Sequence, residues 1–129
     1  MSRANVGQDL TVTELLPLVD VTATAGGTGI DIRQYSGKIA VIFQSAAGTG
    51  TTPTLDIKLQ DDDAVGGSYG DITGATFTQV TDGADITEKI VVDADACKAF
   101  IRAHKTIGGT STPTFGCGVT VVGLTQVIS

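Results

Sequence analysis

Apolar and polar residues alternate over several short stretches of this chain. Between residues 54 and 60, Leu55, Ile57 and Leu59 fall on one side, while Thr54, Asp56, Lys58 and Gln60 fall on the other. That is the period of a strand with one face on a core and one in water. Residues 38–45 differ, because Ile39, Val41 and Phe43 share one face and Ala40 and Ile42 occupy the other. This strand is expected to be central or covered on both sides. Further alternation over residues 19–24, 30–33, 75–81, 86–92, 99–105 and 114–124 brings the expected strands to eight, the spacing of an all-β sandwich or barrel. Residues 93–98 are expected to form only a short helical corner.

Turn chemistry separates the runs. Gly26-Gly27-Thr28-Gly29, Gly48-Thr49-Gly50, Gly66-Gly67-Ser68, Asp82-Gly83 and Gly108-Gly109-Thr110 all sit between apolar segments, where turns are expected. One internal similarity runs at an offset of 60 residues. Residues 38–60 and 98–120 share Lys38/Lys98, Gly48/Gly108, Thr52/Thr112, Pro53/Pro113 and Thr54/Thr114. Both read as a strand, a Gly/Thr loop ending in Thr-Pro-Thr, and a returning strand. Two hairpins with convergent turn chemistry and a duplicated hairpin both account for it.

Composition narrows the class of molecule. The 129 residues include 17 Gly and 20 Thr, with aromatics at 5% and no Trp, which disfavours long helices. No run approaches the ~18 apolar residues of a membrane-spanning helix, and a hydrophobic content of 41% argues against a disordered chain. The net charge of −6 lacks the basic footprint of a nucleic-acid binder, so neither nucleic acid nor membrane is an expected partner. Residues 1–10 hold no apolar segment of an export signal. Cys97 and Cys117 are accordingly expected to be reduced, half-buried small hydrophobes.

Candidate chemistry is sparse. His104 is the sole histidine, with no nucleophile implied beside it, and two Cys with one His fall short of a closed zinc set. Asp61, Asp62 and Asp63 form the best acidic cluster. Its spacing fails the EF-hand pattern, which leaves a solvated acidic turn as the leading account and a bound cation as the other. No phosphate-binding glycine motif occurs. The expectation is a protein that is not an enzyme, with no catalytic residues, cofactor or metal.

Residues 38–81, KIAVIFQSAAGTGTTPTLDIKLQDDDAVGGSYGDITGATFTQVT, then a strand at 86–92 and AFIRAHKTIGGTSTPTFGCGVTVVG, resemble the small capsid decoration (cement) proteins of tailed bacteriophages. The resemblance is carried by Leu55 to Gln60, the Asp61 to Ser68 turn, Tyr69, Asp71 to Gly74, Phe77 to Gln79, Ile101 to Ala103 and Gly108 to Thr110. It implies an antiparallel β-sandwich, often a jelly roll, made in the host cytoplasm. Such proteins form homotrimers on the outer capsid surface, where they bind the major capsid protein and hold neighbouring capsomers together. The first 35 residues and Ala64-Val65-Gly66-Gly67 depart from the pattern. Within one domain over 1–129, residues 1–14 are then expected as an extended arm, with Leu10, Val12, Leu15 and Leu16 as interface candidates. An ordinary edge strand in the same core accounts for them equally. The other functional reading is a β-sandwich module that binds carbohydrate or a cell surface, although such modules usually display exposed aromatics.

Overall fold

In a computed structural model, which describes residues 10–124, the chain is an antiparallel β-sandwich of jelly-roll type. The strands are β1 (Leu10–Val21), β2 (Ala25–Gly26), β3 (Ile30–Asp31), β4 (Lys38–Ser45), β5 (Thr49–Asp62), β6 (Gly70–Thr76), β7 (Ile86–Asp93) and β8 (Phe100–Leu124), with a single 3₁₀ turn at Ala94–Ala96. Asp93 caps that turn, its side chain accepting from the Asp95 N–H.

Strand β8 serves both sheets. Its C-terminal half lies between β1 and β4, with β7 beyond β4; its N-terminal half lies between β5 and the short β2 and β3, with β6 beyond β5. Neighbours in space are therefore distant in sequence, as in a jelly roll, where a two-stranded ribbon is folded over on itself. The ribbon here is β8 on one side and β4 followed by β5 on the other.

The offset of 60 residues acquires a geometric meaning in this ribbon. The pairs Ala40↔Val122 and Ser45↔Cys117 join β4 to β8. Moving each residue by 60 turns them into Phe100↔Asp62 and Lys105↔Ile57, and both of these join β8 to β5. The two similar stretches are thus related by an approximate two-fold axis, and the expectation of two hairpins needs correcting. β4 does not pair with β5; each similar stretch crosses from one sheet to the other and pairs with its counterpart. Near the axis Thr51 donates to Ser111, which lies 60 residues further on (3.3 Å). The backbone follows the same relation at Thr52 and Thr112, with φ of 46° and 53°.

Inward positions fill the sandwich. Ile39, Val41 and Phe43 of β4 meet Leu55, Ile57 and Leu59 of β5, together with Ile101, Ala103, Phe115, Cys117, Val119 and Val121 of β8. Phe43 packs on Phe77 with ring centroids 5.2 Å apart. Tyr35 closes one end of the core and shares a hydrogen bond with Thr13 (2.8 Å).

Three expected elements differ from the observed ones. Strand β1 begins at Leu10 rather than at residue 19, because consecutive inward residues, Leu15 and Leu16, sit at a register shift that breaks the alternation. The strand expected over 75–81 is β6, at Gly70–Thr76; Phe77 and Val80 follow it as buried residues tied to β5 through Phe77 N–H to Ile57 O and Val80 N–H to Leu55 O (both 2.9 Å). The turn expected at Gly108-Gly109-Thr110 is a bend inside the continuous β8.

Candidate functional site

The two sheets present outer faces of opposite character. On the β5–β8 side, outward residues form a connected polar network. Arg102 donates from Nε to Gln60 Oε1 (2.9 Å), Gln60 donates to Asp71 Oδ1 (2.9 Å), and Lys58 Nζ pairs with Asp71 Oδ2 (3.0 Å). The hydrogen bonds from Gln60 and Lys58 hold the Asp71 carboxyl below the ordinary carboxylate range. Arg102 also lies over the Tyr69 ring, 4.4 Å from its centroid, and the Tyr69 hydroxyl donates to Val65 O (2.8 Å). Burial raises the Tyr69 pKa. This network holds the 63–69 loop against the sheet.

His104 stands beside the network, paired across the strands with Lys58 and Gly26. Its Nδ1 is buried without a hydrogen-bond partner. Burial, then the charges of Lys58 and Arg102, pushes the imidazole pKa down against the opposing pull of Asp71, which favours the neutral ring. At the sheet's margin Arg33 makes a paired contact with Asp31 (2.7 and 3.0 Å) and lies over Phe100. These bonds lower the Asp31 pKa to about 2.

The Asp61-Asp62-Asp63 cluster does not converge. Asp61 and Asp62 occupy successive positions of β5 and so project to opposite faces. Asp61 accepts from the Lys98 N–H (3.0 Å) and Asp62 from the Ala64 N–H (2.9 Å), so both carboxylates tie down neighbouring backbone. Among the described residues no three metal-ligating side chains come together. Cys97 is half-buried and Cys117 buried, both as free thiols whose pKa is raised by burial.

The β1–β8–β4–β7 side carries no such network. Cross-strand partners place Val12, Val122, Ala40 and Val91 in one row across all four strands, and Glu14, Thr120, Ile42 and Lys89 in the next. The sequence-based interface candidates divide between the two sides of this sheet. Leu10 and Val12 project outward and are exposed, whereas Leu15 and Leu16 point into the core. Of the expected arm, residues 1–9 lie outside the described residues, and residues 10–14 are the first five of β1, paired with β8. Sequence reasoning missed Val91 and Leu124 as members of the same face. The available signal was the second apolar face of β4, at Ala40 and Ile42, which is half-exposed.

No family model matches the chain, and no curated protein sequence matches it. Among solved structures, a subunit of Bacillus endospore appendages, described as a novel family of disulfide-linked pili, is similar at 19% identity and a TM-score of 0.49, over 92% of this chain and 89% of that one. VP2 of the infectious bursal disease virus subviral particle is similar at 11% identity and a TM-score of 0.51, over 89% of this chain. The chain spans about a third of VP2, covering 32% of it. The likeness to VP2 is one of fold.

Proposed function

We propose that this protein is a virion structural protein that decorates the outer capsid surface of a tailed phage, where it bridges neighbouring capsomers as a homotrimer and performs no catalysis. The observation that carries the reading is the jelly-roll sandwich, of the kind also present in VP2 of a viral particle. The resemblance of residues 38–81 to decoration proteins supports it. Stiff, Thr-rich strand faces suit a protein that works by static contact, since Thr loses little side-chain entropy when covered. Repetition over a capsid lattice multiplies weak contacts into firm attachment. The carbohydrate-binding reading is less well supported, because all six aromatic residues are buried or half-buried and none forms an exposed stacking platform.

The test is binding of the purified full chain to expanded capsids of its own phage, with copy number measured by quantitative gel or cryo-microscopy. Saturable binding at symmetry-related surface positions, with capsids more resistant to heat, is expected. Absence of binding, or binding at one unique vertex, overturns the proposal.

A further inference from the structure

Exposed apolar surface is concentrated on one face of the molecule. Seven large apolar side chains are exposed among the described residues, and five of them, Leu10 (43%), Val12 (64%), Leu18 (70%), Val91 (51%) and Leu124 (44%), belong to the outer face of the β1–β8–β4–β7 sheet or its rim. Val122, Ala40 and Ile42 continue the face between them as half-exposed residues. Leu18 lies over Gly118, where an added Cβ would come within 3.1 Å of the Leu18 Cα. A contiguous apolar sheet face of this kind marks a contact surface. The opposite sheet meets water with bonded Lys, Arg and Asp, which makes the contrast a property of this face and not of the whole chain.

In the rows that hold Leu10, Val12 and Glu14, the charged residues are Lys38 and Asp93, cross-strand neighbours in the flanking Leu10 row, and Glu14 and Lys89. The last two indicate what covers the face. Glu14 and Lys89 stand at opposite ends of one row, Glu14↔Thr120↔Ile42↔Lys89. The two ion pairs among the described residues, Arg33–Asp31 and Lys58–Asp71, use neither of them. A two-fold axis parallel to the strands, passing between β8 and β4, lays β1 of one copy over β7 of another. That single operation sets Glu14 against Lys89 twice, Val12 against Val91 twice, and Val122 against Ala40 twice. Over these two rows one chain carries both halves of a complementary surface, the condition for an isologous contact. In the flanking row the operation brings Asp93 over Leu10 and Lys38 over Leu124, so the contact is centred on the Val12 and Glu14 rows and leaves those charges at its margin.

We propose that the outer face of the β1–β8–β4–β7 sheet packs against the same face of a second copy of this chain, about a two-fold axis parallel to its strands. Aligned sheets pack about 10 Å apart and cross at about 30°. At the edge strands that crossing shifts the rows by about one residue spacing, which the long Glu and Lys side chains span. The proposal does not rest on the capsid reading. An isologous contact doubles whatever the remaining surface builds, giving a dimer from monomers or a hexamer from trimers.

The experiment is sedimentation velocity and native mass spectrometry of the full chain at up to about 100 μM, a concentration that fills a contact of micromolar affinity. An even-numbered assembly is expected. Val91→Asp alters an exposed position, so its circular dichroism should match the parent while the assembly halves, with the dissociation constant raised about a hundredfold. Glu14→Lys and Lys89→Glu should each weaken assembly by about fivefold, and the double variant should regain it. A monomeric or odd-numbered parent overturns the proposal, as does a Val91→Asp assembly of unchanged mass or a double variant weaker than either single one. A parent that stays monomeric until another protein covers Val91 assigns the face to that partner and overturns it as well. The halved Val91→Asp assembly can still be offered to capsids, so failure of this contact and failure of the capsid reading give different results.

Discussion

Replacing Gly109 by alanine tests the bend that joins the two sheets. Its φ of 112° lies where L residues rarely go, and an added Cβ would sit 2.8 Å from Thr52 O, 2.9 Å from Thr51 O and 3.0 Å from Pro53 Cα. All three are backbone atoms of the crossing strand, so no side-chain rotation relieves the contact. The conformational cost is about 1–2 kcal/mol, and forced repacking against backbone adds about 1–3 kcal/mol. Loss of unfolded-chain freedom returns about 0.4–1 kcal/mol. The net expectation is a destabilisation of about 3 kcal/mol, or a fall in Tm of about 10 °C in a domain of this size. Gly37 supplies the control: its φ is 71° and nothing lies within 4 Å of an added Cβ, so Gly37→Ala should cost only about 1 kcal/mol. Gly50, on the strand that crosses this bend, would bring its Cβ to 3.0 Å from Thr110 O and 3.1 Å from Pro113 Cα. Gly50→Ala should therefore follow Gly109→Ala at a slightly smaller cost. Urea unfolding followed by far-ultraviolet circular dichroism, with unchanged m, gives the comparison. Gly109→Ala no more harmful than Gly37→Ala would refute the account of the bend.

Phe43→Ala should cost about 4 kcal/mol and Phe43→Leu much less, because Phe43 is fully buried against Phe77; equal midpoints in urea for the two variants would contradict this. Burial and the Lys58 and Arg102 charges depress the His104 pKa below the ordinary 6.5. The unfolded chain therefore binds the proton first, and this residue's contribution to stability declines as pH falls below about 6.5. The difference in unfolding free energy between the parent and His104→Gln should thus change between about pH 7 and pH 5, and a difference independent of pH would count against it. Thiol labelling of the native chain at neutral pH should modify half-buried Cys97 slowly and buried Cys117 only upon unfolding, with peptide mass mapping as the readout. Rapid modification of Cys117 would show that the core opens there.

The strands that the sequence made legible are those whose two faces meet different surroundings. In β5, Leu55, Ile57 and Leu59 enter the core while Asp56 and Lys58 stay half-exposed, Gln60 being covered by its bonds to Arg102 and Asp71, and β7 alternates without interruption. Legibility failed where geometry breaks the period. Leu15 and Leu16 both turn inward at the register shift of β1, so two expected contact residues belong to the core. In β6 only Ala75 is fully buried and Ile72 packs partly against the core three residues earlier, a spacing that is not the period of a strand. Glycine at 108 and 109 has the chemistry of a turn, yet here it bends a strand that continues to Leu124. The apolar face was hidden for another reason: Val12, Val122, Ala40 and Val91 become neighbours only when four strands from distant parts of the chain are set in register.

The pairing of Leu10 with Leu124 sets how the molecule answers to force. A pull applied at these two residues enters at one end of an antiparallel pair and opens it rung by rung, so the load falls on one or two hydrogen bonds at a time. A load spread over the sheet faces meets a different resistance, because β8 crosses from one sheet to the other as a single covalent strand, beside the β4–β5 crossing. The two sheets cannot slide apart without dismantling the ribbon that forms the centre of each. The sandwich is mechanically anisotropic: it yields when drawn from Leu10 and Leu124 and holds when gripped by its faces.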